Sequence, residues 1–94
     1  MDIDIQHEES ESKGAYFVEL EGNKVGEMTY SKAGTDRIII DHTEVDNSMR
    51  GTGLEKKLVI KAVDDARKNE ISIVPLCPFA RSVFDKNEEL RDVL

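Results

Sequence analysis

The chain has 94 residues. That length supports one small domain, which buries roughly 60–65% of its unfolded surface, and it excludes two packed domains or a large catalytic barrel. Hydrophobic residues make up 38% and aromatics 5%, with no tryptophan, so the core must be aliphatic, built from Ile, Leu and Val. With 13 basic and 20 acidic side chains the formal net charge is −7, which argues against nucleic acid or an anionic membrane surface as a partner.

The charge is uneven: residues 1–50 hold 5 basic and 12 acidic side chains, and residues 51–94 hold 8 of each. An anionic small molecule therefore meets less repulsion in the second half. Cys77 is the single cysteine, which rules out an internal disulfide and a cysteine-cluster zinc site and fits a reducing compartment. No apolar run approaches the roughly 18 residues of a membrane span. The acidic start Met1-Asp2-Ile3-Asp4 lacks the apolar stretch of a signal peptide. These features predict a cytoplasmic protein, with residues 1–94 forming one domain.

In chain order, Ile3 and Ile5 alternate with acids and suggest a short opening strand. His7 to Lys13 is polar and reads as a loop. An extended run follows from Gly14 to Leu20, and Glu21-Gly22-Asn23-Lys24 reads as a hairpin turn. Val25 to Lys32 is the return strand, with Met28 and Tyr30 on one face packing on the sheet. Ala33 to Asp36 is a second turn. Arg37 to Val45 is the strongest strand, and its three consecutive isoleucines predict burial on both faces.

Asp46 to Gly53 is a loop, and Leu54 to Asn69 is a helix. Its residues Leu54, Leu58, Val59, Ala62, Val63 and Ala66 share one face of a 3.6-residue period. Thr52 and Glu55 have the spacing of a capping box. Ile71 to Leu76 is a short strand. Pro78 opens a helix running to about Lys86, with Phe79 and Phe84 as its anchors, and Asn87 to Leu94 forms a last short helix. Strand–helix–strand over residues 37–76 requires a crossover between parallel strands. The class is α+β or α/β, with a mixed, mostly antiparallel sheet.

The chemistry concentrates at Arg50-Gly51-Thr52-Gly53, between the most apolar strand and the best helix. A helix N-terminus presents unpaired N–H groups and the positive end of the dipole. Glycines let a phosphate reach the backbone, and Arg50 can add a charge-assisted contact. Neither the Walker pattern nor the dinucleotide fingerprint is present. The loop is therefore a pyrophosphate cradle or an ordinary tight turn.

Arg-Gly-x-Gly between a long strand and an amphipathic helix resembles the acetyl-CoA-binding motif of the GNAT acetyltransferase superfamily. With His42-Thr43-Glu44-Val45 before it and Cys77-Pro78-Phe79 after the next strand, the chain is similar to the minimal, YjdJ-type branch over about residues 14–92. The resemblance implies that the strand ending at Val45 splays from the one ending near Leu76. The pantetheine arm of acetyl-CoA would lie in that opening against Val45, and the pyrophosphate on the amides of Arg50, Gly51, Thr52, Gly53 and Leu54. Pro78 and Phe79 would border the cofactor, and no metal is needed. Ser48 stands where the wider superfamily often has Gln or Arg. Val83 stands where minimal relatives often have Tyr, so no tyrosine acid is available there.

The reaction implied is acetyl transfer from acetyl-CoA to an amine. Cys77 is a candidate nucleophile or proton donor near a helix N-terminus, or else a small buried hydrophobe. His42 is a candidate base, or a hydrogen-bonded strand histidine. Glu44 shares its face and could activate the amine, or could be a solvated carboxylate. The acidic first half favours a cationic acceptor. Lys56, Lys57 and Lys61 read as a solvated helix face that could also meet the 3′-phosphate of coenzyme A. A non-catalytic CoA-binding module and a small interaction domain are the competing readings.

Overall fold

The computed structural model describes residues 4–94, and its N-terminal half is an antiparallel meander. Strands β1 (Gln6–Glu9), β2 (Lys13–Leu20), β3 (Asn23–Lys32) and β4 (Arg37–Val45) neighbour one another in chain order. A 3-10 turn at Asn47–Met49 leads to helix α1 (Leu54–Asn69). Strand β5 (Ser72–Pro75), helix α2 (Pro78–Lys86) and a 3-10 turn at Glu88–Val93 complete the described chain. β5 lies parallel to β4, from the Arg37–Ser72 pair to Ile40–Pro75. The fold is thus the expected α+β one, with a mixed sheet, a crossover helix and a C-terminal helix.

The hairpin between β2 and β3 turns on Glu21 and Gly22, both at positive φ (52° and 80°). Two such residues give the tight turn whose twist matches that of paired strands. It is shorter than the four-residue turn expected from the sequence, so β3 starts two residues early.

Alternation sorts the sheet into two faces. Tyr16, Val18, Met28, Tyr30, Ile38, Ile40 and Ile73 point to one side and join the apolar faces of α1 and α2 in one buried cluster. All six residues assigned from periodicity to the buried face of α1 are buried. Each large aliphatic side chain so removed from water contributes about 1.5–3 kcal/mol. The opposite face carries Glu8, Phe17, Glu27, Thr29, Ile39, His42 and Glu44, and no helix of the described residues contributes to a core there. Lys24 partly closes it by setting its ammonium 4.7 Å over the Phe17 ring. Ile38 and Ile40 are buried on the helix side, while Ile39 is half-buried on the open one. The isoleucine run is therefore fully buried on one face only.

Other expectations need correction. Residues 6–9 form a strand, where the polar composition read as loop. Its four residues are all exposed, so no apolar alternation marks it, and its stability comes from pairing with β2 and from side-chain bonds. The expected opening strand does not begin at Ile5, which packs against the core ahead of β1; Ile3 lies outside the described residues. Phe84 anchors α2 in the core, but Phe79 is 47% exposed, because it falls on the first turn of α2, away from α1. The expected last short helix is present, as a 3-10 helix over Glu88–Val93 that buries Leu90 and Val93.

Candidate functional site

β4 outruns its neighbour. Its last pair with β5 is Ile40–Pro75, and residues 41–45 continue with no strand on that side among the described residues. The Cys77 N–H donates to the Ile40 carbonyl at 3.1 Å, and α2 starts at the next residue. The two strands therefore part, leaving an unpaired β4 edge of the kind that accepts an extended polar chain. A register shift between Thr29 and Tyr30 leaves Asp41 as the extra residue of β4. This bulge puts Ile40 and Thr43 on the same face.

The start of α1 is pressed against the end of this edge. Gly26 pairs with Val45, and a Cβ at Gly26 would lie 2.7 Å from Leu54 Cδ2, so a larger residue would have to displace the buried Leu54 side chain at the first turn of α1. The approach to the helix is tied down from within. Asp46 accepts from the Ser48 N–H at 3.1 Å and from its hydroxyl, and both contacts hold the Asp46 carboxyl below its usual range. The Thr52 hydroxyl donates to the Met49 carbonyl at 2.5 Å.

That bond corrects the expected capping box. The N-cap is Gly53, and no side chain caps the helix. Thr52 is drawn back to the 3-10 turn, so the first N–H groups of α1 are left without a capping side chain. Gly51 and Gly53 stand at φ 80° and 75°, and a Cβ at either would meet nothing within 4 Å. Their positions are open outward, so the positive end of a 16-residue helix faces free space. The residues present thus fit a pyrophosphate group: bare backbone, a helix dipole and Arg50 exposed at the rim. Leu54 is fully buried, so only its backbone faces this space.

The other predicted residues divide between the two faces of β4. His42 and Glu44 lie together on the open face, with Nε2 and Oε2 3.8 Å apart and side chains 67% and 78% exposed. Beside them a 380 Å³ hollow runs along Lys24 to Glu27 and Glu44 to Asn47. Cys77 lies on the helix side, 5% exposed, as the N-cap of α2. Burial pushes its thiol pKa up, but the Ala80 N–H, the Thr43 hydroxyl and the Phe79 N–H outweigh this and bring it below the usual thiol value. The structure thus pairs His42 with Glu44 and separates both from Cys77 by the thickness of the strand. Val45 is half-buried at the end of the edge, and Pro78 and Phe79 are exposed beside Cys77.

Thr43 is the residue that sequence reasoning passed over. It is 8% exposed, and its hydroxyl has no hydrogen-bond partner of good geometry. Its position between two candidate residues was visible; its burial next to Cys77 depends on the bulge. Among the described residues no group of His, Cys, Asp or Glu is arranged to hold a metal ion, and no helix is long and apolar enough to cross a membrane.

Residues 15–93 match a family model described as GCN5-related N-acetyl-transferase. Among solved structures, a GCN5-like protein from Staphylococcus aureus is 32% identical, with a TM-score of 0.73 over 94% of this chain and 85% of that one. The ribosomal-protein-alanine N-acetyltransferase of Brucella melitensis shares the fold at 23% identity and a TM-score of 0.69, over 82% of this chain and 62% of that one. So does a Bacillus subtilis acetyltransferase in complex with CoA, at 17% identity and a TM-score of 0.68, covering 90% and 74%. The chain therefore spans under two-thirds of the Brucella enzyme and most of the Staphylococcus protein. A search of curated proteins finds no match.

Proposed function

The chain belongs to the GCN5-related N-acetyltransferase family, and from that premise we propose that it transfers an acetyl group from acetyl-CoA to an amine. The observation that carries this reading is the parting of β4 from β5 beside an uncapped helix N-terminus. The amide-rich pantetheine arm would pair with the free β4 edge up to Val45. The pyrophosphate would rest on the amides of Arg50, Gly51, Thr52, Gly53 and Leu54, with Arg50 adding charge. Pro78 and Phe79 would border the arm where it reaches Cys77.

The two faces of β4 suggest a division of labour. Acetyl-CoA would enter from the helix side, and the acceptor from the open face, where His42 and Glu44 are in solvent. As the acyl carrier, Cys77 would lose its proton to solvent and attack the thioester carbon as the thiolate. A bond from its sulfur to the acetyl carbon forms, the bond to the coenzyme sulfur breaks, and coenzyme A leaves as a thiolate. The acceptor nitrogen would then attack the acetyl carbon and return the cysteine thiolate, its surplus proton passing through water to Glu44 or His42 on the open face. The open face carries Glu8, Glu27 and Glu44, which favours a cationic acceptor. The His42–Val45 and Cys77–Phe79 motifs favour the minimal, YjdJ-type branch, and the single cysteine favours a reducing, cytoplasmic setting.

Calorimetry with acetyl-CoA, followed by intact-mass measurement, tests this reading. Binding with a gain of one acetyl group, abolished by Cys77→Ser, is the expected result. Binding without mass gain, but with turnover on an amine panel, moves the chemistry to direct transfer. Binding with neither leaves a passive CoA module. Absence of binding overturns the proposal and leaves an interaction domain on the same fold.

A further inference from the structure

Beside the buried cysteine sits a buried hydroxyl with nothing else to do. Thr43 and Cys77 lie 34 positions apart in sequence, both on the helix side of β4 and 8% and 5% exposed, and the Thr43 hydroxyl and N–H face the Cys77 sulfur. The Cys77 N–H is fixed on the Ile40 carbonyl, and the Cys77 carbonyl accepts from the Arg81 N–H at 2.9 Å, so the cysteine backbone is held at both ends. The Thr43 hydroxyl has no partner of good geometry. Leaving such a group buried costs about 1–3 kcal/mol, a cost that a tightly packed chain avoids where the group serves nothing.

We propose that Thr43 is a positioning residue for the Cys77 sulfur: its hydroxyl is held unpaired beside the thiol so that it can donate to the thiolate once the proton has left. A hydroxyl rotor turns freely, so it can accept from the neutral S–H and donate to S⁻ without moving a heavy atom. β4 presents it from one side, while α2 presents the Phe79 and Ala80 N–H groups from the other. With the Thr43 N–H, which the Thr43→Val and Thr43→Ser variants both keep, they give four neutral donors around one sulfur. The charged side chains beside Thr43 on β4 and one turn beyond Cys77 on α2 are engaged elsewhere. His42 and Glu44 flank Thr43 on the opposite face, 3.8 Å from each other, and the Arg81 guanidinium turns to Asp85 at 3.8 Å. The stabilisation of the thiolate is thus local and dipolar, and it is insensitive to salt.

This inference rests on the reading of Cys77 as the reacting group, but its test does not require acetyl transfer. The chain has one cysteine and two tyrosines, and Tyr16 and Tyr30 are both held well above the ordinary phenol range. The ultraviolet absorbance of the thiolate can therefore be titrated in the whole protein ahead of tyrosine ionisation, with Cys77→Ser as the blank.

Thr43→Val should raise the midpoint by about one pH unit, which is about tenfold less thiolate at neutral pH. Thr43→Ser keeps the hydroxyl and should titrate like the parent. Thr43→Ala replaces the valine variant should the extra methyl not fit. A merely structural threonine predicts lost stability with an unmoved midpoint, and that result overturns the proposal, as does a serine variant shifted as far as the valine one. If the parent protein shows the thiol shift but never gains an acetyl group, it is the acyl-carrier reading that fails, and the assignment of Thr43 stands.

Discussion

Where β1 crosses the foot of α1, nearly every polar group has a partner. Tyr16 donates to Asp65 at 2.8 Å, Tyr30 donates to Glu9 at 2.7 Å, and His7 Nε2 lies 2.6 Å from the Tyr30 hydroxyl. Lys32 closes the group on Glu9 at 2.8 Å, and the His7 ring stacks on Tyr16 at 4.2 Å. At the other end of the same sheet, β4 has a free edge, α1 has no side-chain cap, and Thr43 has no partner. One short chain thus saturates one end and leaves the other open. Unsatisfied backbone and a buried unpaired hydroxyl cost stability, and here they are concentrated at one end, the end where the proposed reading seats acetyl-CoA on the bare backbone and sets Thr43 beside Cys77.

The largest effect should come from the core that both ends share. Leu58 is fully buried where α1 crosses the sheet. Leu58→Ala should lower unfolding stability by about 2–5 kcal/mol through lost transfer energy and a residual cavity. Chemical denaturation measures it, and a loss below about 1 kcal/mol would show that the two ends do not depend on this layer.

The comparison predicts opposite outcomes for ligand binding. Gly53→Trp adds a bulky group where a Cβ meets nothing, so the fold should suffer only the strain of a left-handed residue, about 1–2 kcal/mol. Acetyl-CoA affinity should fall at least about tenfold, or 1.4 kcal/mol. Calorimetry on the folded variant reads this directly. Unchanged affinity would mean that the open helix end is not the cradle.

Most of this architecture was legible in the sequence because it repeats. The period of α1, the extended run of β2 with its return strand, and the crossover implied by strand–helix–strand order all come from many residues agreeing. Of the open end only the glycines beside the helix start carried a local signal, compatible with a cradle or a tight turn, and the free β4 edge was implied by the family resemblance alone. The saturated end was not legible. His7 and Glu9 look like loop residues, and their partners Tyr16, Tyr30 and Lys32 are distant in sequence. The capping box failed for a related reason: Thr52 found a nearer acceptor in Met49, an outcome set by the backbone path of the 3-10 turn. Thr43 escaped notice because a single bulged residue decides which face it takes.

The smallest effect at neutral pH should come from loosening the saturated end alone. Tyr16→Phe removes one hydrogen bond to Asp65 and should cost about 1 kcal/mol, with acetyl-CoA affinity unchanged. The same bond has a sharper signature in alkali. Burial first, then the Asp65 carboxylate, pushes the Tyr16 pKa above its ordinary 10.0. Burial and Glu9 do the same for Tyr30. Above pH 10 the unfolded chain loses phenolic protons that the folded chain keeps, so it binds fewer protons and stability falls as pH rises. Below pH 10 both states hold them and the slope from these groups vanishes. Denaturation midpoints measured from neutral pH into alkali should therefore stay level and then decline, and Tyr16→Phe should make that decline shallower. An equal decline in the variant would mean that Tyr16 ionises in the folded protein as freely as in the unfolded one, and that the Asp65 contact does not hold this end closed.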